Sequence, residues 1–147
     1  MSEFQATITW TASDAPFEPK TYTRDHLWRF PCGESLPGTS APVYGGSVER
    51  VNPEEGFVAI LAACHMLTFL AVASRRGFVV ASYEDTPAGT LDRNADGRMA
   101  MTRVRLRPRV TFSGNAPDDE QLADLHARAH RGCFIANSVR SEVVIES

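Results

Sequence analysis

Apolar and polar residues alternate along Phe4–Trp10, a period of two that predicts a β-strand. The same alternation over Lys20–Phe30 predicts a second strand, with Tyr22, Arg24, His26, Trp28 and Phe30 on one face. Cys32–Gly46 is rich in Gly, Pro and Ser and reads as loop. The pattern then changes period. Asn52-Pro53-Glu54-Glu55 is a helix start: Asn as N-cap, Pro at the first helical position, and Glu55 placed to close a capping box. The helix should run to about Arg76, where Arg75 and Arg76 suit the negative end of the dipole and Gly77 suits the stop.

Beyond it, Phe78–Tyr83 reads as a strand, and Gly89–Leu91 with Arg98–Phe112 as a hairpin turning around Asn94–Gly97. Arg103, Arg105, Arg107 and Arg109 alternate strictly, which makes them the wet face of a strand rather than a phosphate track. Pro117 to about Arg131 predicts a second helix, and Ser138–Ile145 a last strand. The order ββ-α-βββ-α-β implies an α+β fold, mostly antiparallel sheet packed on a long central buried helix and a second helix.

Length and composition narrow this. The 147 residues suit a single domain, 1–147, with 43% hydrophobic and 22% charged residues. A net charge of -3 and no basic block argue against nucleic acid as partner. Three cysteines without paired spacing do not make a secreted disulfide framework, and Met1–Trp10 shows no signal-peptide pattern, so a cytoplasmic location is expected. Gly56–Ala73 is apolar enough to raise the question of a membrane span. It is rich in Ala and sits mid-chain among amphipathic strands, so a buried core helix and no membrane is the expectation.

The candidate chemistry lies in the cysteines. Cys64 falls mid-helix in Ala62-Ala63-Cys64-His65-Met66, and Cys133 at the end of the second helix in Cys133-Phe134-Ile135-Ala136-Asn137-Ser138. Either one alone reads as a small buried hydrophobe. Asn52-Pro53-Glu54, an Ala-Cys pair ten residues after the Glu, and a second Cys-x-x-Ala-Asn about 70 residues on form an ordered set. That set resembles the OsmC/Ohr superfamily, the osmotically inducible protein C and organic hydroperoxide resistance proteins, over about residues 4–146.

The resemblance implies a thiol-dependent peroxidase that reduces organic hydroperoxides. Cys64 as thiolate attacks the peroxide and becomes a sulfenic acid, and Cys133 condenses with it to a disulfide. A cation must favour the thiolate, since a mid-helix position gains little from the dipole. The family takes an Arg from the N-terminal β region, held by the Glu that Glu54 matches. Arg24 is the choice here, because it shares a predicted face with Tyr22, His26 and Trp28; Arg29 points to the opposite face. No cofactor is implied beyond an external dithiol reductant, such as a lipoylated protein. An organic hydroperoxide needs an apolar pocket, for which Trp28, Phe57, Phe69 and Phe134 are candidate walls, with core packing as the alternative. Two departures from the family pattern leave the substrate open: His65 follows Cys64, and Phe134 stands where Pro is usual. Cys32 matches nothing in it.

Other functions compete. A non-catalytic or redox-sensing OsmC-like module that binds a small molecule is one. Cys64, His65, His126, His130 and Cys133 form a possible soft-metal set, but the spacings fit no standard site, and His126 and His130 read as an exposed or interface helix face. Asp92-x-Asn94-x-Asp96-Gly97 imitates an EF-hand start, yet Arg103 occupies the twelfth position. No metal is therefore expected. A homodimer is. Glu54 and Cys64 lie ten residues apart on one helix, about 15 Å along its axis, so Glu54 serves a Cys64 site only if two helices pack antiparallel about a two-fold.

Overall fold

Eight strands and two helices follow one another as βββ-α-ββββ-α-β in the computed structural model, which describes residues 1–147. The chain divides into two compact units, Met1–Gly56 and Phe57–Ser147. The α+β class and the two predicted helices are present.

In the first unit, β1 (Thr7–Thr9), β2 (His26–Arg29) and β3 (Ser35–Gly38) form an antiparallel sheet in that order. The second strand is shorter than its alternation suggests. Thr21 and Tyr22 donate to the Glu18 carbonyl at 3.0 and 3.2 Å, and this turn takes the preceding residues out of any ladder. The strand β3 lies inside the expected loop. Gly33 at φ 94° makes the reversal, and Phe30 donates to the Glu34 carbonyl at 2.9 Å. Pro37 has no N–H to give, so β3 can only be an edge.

The helix α1 (Pro53–Arg75) starts as its sequence dictates. Glu55 donates its N–H to Asn52 Oδ1 at 2.9 Å, and the Glu55 carboxylate accepts from the Asn52 N–H at 3.1 Å. Two orphan donors are satisfied reciprocally.

In the second unit, α1 buries Leu61, His65, Phe69 and Ala73, one residue per turn. Across them lies α2 (Asp119–Gly132), capped by Asp118 in a capping box with Gln121. Pro117 therefore precedes the helix rather than opening it. Phe69 and Ala73 pack on Leu125 and Ala129, and Leu61 packs on Val104 and Leu106. The rest of α1 is not buried within the chain: Ile60 is 50% exposed and Leu67 63%. By length and composition α1 also meets the requirement for a membrane span.

Two sheets complete this unit. β4 (Val79–Asp85) pairs antiparallel with β7 (Pro108–Ser113). β6 (Met99–Leu106) pairs antiparallel with β5 (Ala88–Arg93) and parallel with β8 (Glu142–Ile145). The expected long strand Arg98–Phe112 is thus two strands. Arg107 gives its N–H to Asp85 Oδ1 at 2.7 Å and Pro108 has none, so the ladder breaks there and the chain changes sheet. The arginine alternation survives the break: Arg103, Arg107 and Arg109 are exposed, while Val104, Leu106 and Pro108 are buried. The last strand is shorter than expected because Ala136–Ser138 forms a 3₁₀ turn.

Candidate active site

Cys64 and Cys133 are brought together although they are far apart in sequence. The Cys133 thiol stands next to that of Cys64, and both are free thiols. Cys133 is 1% exposed, whereas Cys64 is only partly buried. Burial, and then the neighbouring Cys64 thiol, push the Cys133 thiol up to about 11; the N–H groups of Ala136 and Ile135 pull the other way. At neutral pH Cys133 therefore keeps its proton.

Local sequence explains this placement. Thr68, one turn after Cys64, donates its hydroxyl to the Cys64 carbonyl at 2.9 Å. Its Cγ2 faces Gly132, where a Cβ would stand 3.0 Å away, so a glycine there lets the end of α2 approach α1. Cys133 then caps α2, and its Sγ accepts from the Ala136 N–H at 3.4 Å. Asn137 gives its side-chain amide to the Arg131 carbonyl at 3.1 Å and Ser138 its hydroxyl to Phe134 at 2.7 Å. The motif after Cys133 is therefore a turn that fixes one sulfur.

Cys64 opens into a groove of about 740 Å³ between the exposed side of α1 and the chain after α2. Ile60, Ala63, Leu67, Ala71 and Phe134 give it apolar walls, and Arg75 and Arg128 also line it. Of the four predicted wall residues, only Phe134 stands here, 81% exposed. Phe69 is a correction: at 0% exposure it is core, tilted against His126 with centroids 4.4 Å apart, and lines no groove. Phe57 lines a separate cavity with Arg93, Met101 and Arg140. Trp28 lies in the first unit, against Gly38 and Gly56; a Cβ at Gly56 would meet its Cη2 at 2.7 Å.

Arg24 is not on a strand, which corrects the face assigned to it. Its guanidinium lies 3.6 Å from the Tyr22 ring centroid and donates to the Tyr22 and Pro19 carbonyls, the latter at 2.6 Å. Arg29, on β2, is exposed. Glu54 is not the capping carboxylate, a role that Glu55 fills, and one Glu54 oxygen is buried without a partner.

The sequence reading missed the buried histidines. His65 is 1% and His126 3% exposed, not the open helix face expected of His126. His65 Nε2 and His126 Nδ1 are 3.1 Å apart, with the rings stacked at 5.4 Å. Burial lowers both to about 4, and for His65 the charges of His126 and His130 add to this. The signal was present in Leu122, Leu125, His126, Ala129 and Cys133, a helical stripe that is apolar except for His126.

Comparison with known proteins fits this geometry. The sequence model of the family described as OsmC-like protein matches residues 45–147. The structure of an OsmC-like protein of unknown function from Vibrio cholerae O1 biovar eltor superposes with a TM-score of 0.94 at 43% identity, covering 99% of each chain. An organic hydroperoxide resistance protein from Elizabethkingia anophelis has the same fold, with a TM-score of 0.74 at 18% identity over 99% of this chain and 93% of the other. So does the organic hydroperoxide resistance protein OhrB of Bacillus subtilis, with a TM-score of 0.66 at 22% identity over 97% of each. No curated protein sequence matches. On the family match and the 43% identical structure, the chain belongs to the OsmC-like family.

Proposed function

We propose that this protein is a thiol peroxidase for organic hydroperoxides. One observation carries the reading: a partly buried thiol, Cys64, faces an apolar groove beside a buried thiol, Cys133, that keeps its proton. The Cys64 thiolate attacks the outer peroxide oxygen and the O–O bond breaks. The alkoxide takes a proton and leaves as the alcohol, and Cys64 becomes a sulfenic acid. Cys133 then displaces hydroxide from that sulfur, and a disulfide and water form. An external dithiol, of the kind a lipoylated protein carries, reduces the disulfide by thiol–disulfide exchange. Apolar walls favour alkyl or aryl hydroperoxides over hydrogen peroxide. Arg24 and Glu54 keep the roles that the family pattern implies, a cation for the thiolate and its anchor.

A homodimer belongs to the same reading. A second copy covering Ile60, Ala63, Leu67 and Phe134 turns an open groove into an enclosed pocket, and a two-fold interface makes two such pockets at once. It also buries the apolar side of α1 that this chain leaves exposed.

The test is consumption of cumene hydroperoxide, a fatty-acid hydroperoxide and hydrogen peroxide with dihydrolipoamide or glutathione as donor. Organic peroxides are expected to react faster, Cys64→Ser to abolish turnover, and Cys133→Ser to leave one slow stoichiometric oxidation. Hydrogen peroxide reacting fastest, or full turnover by Cys64→Ser, overturns the reading.

A further inference from the structure

His65 and His126 are the only fully buried polar side chains of the Phe57–Ser147 unit. Each is on the same helical segment as one of the two cysteines: His65 follows Cys64 on α1, and His126 lies two turns before Cys133, the C-cap of α2. Their contact, Nε2 to Nδ1 at 3.1 Å, joins the two helices that carry the thiols.

The pair is poorly suited to stability alone. A neutral imidazole has one N–H, so two rings have two and their mutual bond uses one. The outer nitrogens, His65 Nδ1 and His126 Nε2, are buried without a partner, whichever carries the second proton. An apolar pair of similar size would avoid that desolvation cost. What an apolar pair lacks is direction. The surrounding contact, Phe69 and Ala73 on Leu125 and Ala129, resists separation of the helices more than sliding. A disulfide tolerates little sliding, since its Cα atoms must lie roughly 4.4–6.8 Å apart and one helical turn is about 5.4 Å.

We propose that the His65–His126 hydrogen bond is a registration clasp that holds α1 and α2 where Cys64 and Cys133 can pair, so that both histidines are positioning residues for disulfide closure. This rests on the reading of the two cysteines as a redox pair.

The test needs no peroxide. Protein carrying Cys32→Ser is equilibrated with mixtures of reduced and oxidised glutathione at pH 7. The Cys64–Cys133 disulfide is quantified by alkylation and mass spectrometry, which gives the effective concentration of one thiol at the other. His126→Leu is expected to lower it at least tenfold. His126→Asn, whose amide can stand where Nδ1 stands, is expected to remain within threefold of the parent, a rescue that a volume-filling role does not predict. Leu equal to the parent, or Asn as poor as Leu, overturns the clasp. If His126→Leu does not fold, His126→Gln replaces it: the amide moves one bond outward, the loss is again expected, and parent-like behaviour overturns the proposal. Peroxide turnover is measured separately. A clasp-dependent disulfide in a protein that ignores peroxides defeats the peroxidase reading alone. An active peroxidase whose disulfide equilibrium is indifferent to His126→Leu defeats the clasp alone.

Discussion

The buried thiol of Cys133 stands next to that of Cys64, yet only Cys64 reaches the groove. Reactivity should follow that asymmetry. Iodoacetamide at pH 7–8 is expected to label exposed Cys32 and then Cys64, with Cys133 last by at least tenfold. The Cys133 rate should keep rising toward pH 11, where its thiolate becomes populated. Peptide mapping after timed quenching checks this, and Cys133 labelled ahead of Cys64 contradicts it.

Gly132 and Thr68 set how closely α2 approaches α1. With a Cβ 3.0 Å from Thr68 Cγ2, Gly132→Ala gains helix propensity and loses some packing, so its net stability change should stay within about 1 kcal/mol. Gly132→Val overpacks and should cost about 1–3 kcal/mol. Thr68→Ser removes Cγ2 but keeps the hydroxyl that bonds the Cys64 carbonyl. It should recover at least about 0.5 kcal/mol of the valine cost in a double-mutant cycle, and strict additivity would contradict the contact.

Which features were legible in the sequence follows from how local their causes are. The start of α1 was readable because Asn52, Pro53 and Glu55 act within one turn. The site was not readable from spacing, since separation along the chain says nothing of distance between Cys64 and Cys133; the family resemblance supplied the pair. The strand β3 was hidden because Pro37 and Gly38 look like loop, and only its edge position makes them tolerable. Arg24 misled because alternation predicts a face only where a partner strand exists. His126 is polar by type, but the apolar stripe it belongs to decides its burial.

The buried histidines make stability depend on acid. Both are held neutral, lowered to about 4 in the folded chain against about 6.5 unfolded, mainly by burial. A depressed histidine means that the unfolded chain takes up the proton more readily. Stability is therefore complete above about pH 6.5 and falls as pH drops toward 4, with no further loss from these groups below that. The loss should be on the order of a few kcal/mol. Asp85 on β4 also bears on this range. It is raised by burial and favours the native state in acid, opposing the histidines. Urea midpoints from pH 4 to 8 check the slope. The double variant His65→Leu/His126→Leu should flatten it at little cost at pH 7, and an unchanged slope would rule out the histidines as its source.

Leu67 tests what covers α1. It is 63% exposed in the middle of the apolar stripe formed with Ile60, Ala63 and Ala71, beside Cys64. In an isolated chain, a charge at so open a position is nearly free, within about 0.5 kcal/mol. In a dimer that closes over the stripe, the same carboxylate must be buried unpaired in each of two equivalent contacts, which costs several kcal/mol in total. Leu67→Glu is therefore expected to convert a dimer to monomer at micromolar concentration, with the chain still folded. Sedimentation velocity measures the first effect and circular dichroism the second. If the groove serves peroxides only when enclosed, the KM for cumene hydroperoxide should rise at least tenfold, more than that for hydrogen peroxide, which has no apolar tail to shelter. A Leu67→Glu protein that sediments as the parent does leaves α1 facing water and removes the case for a shared groove.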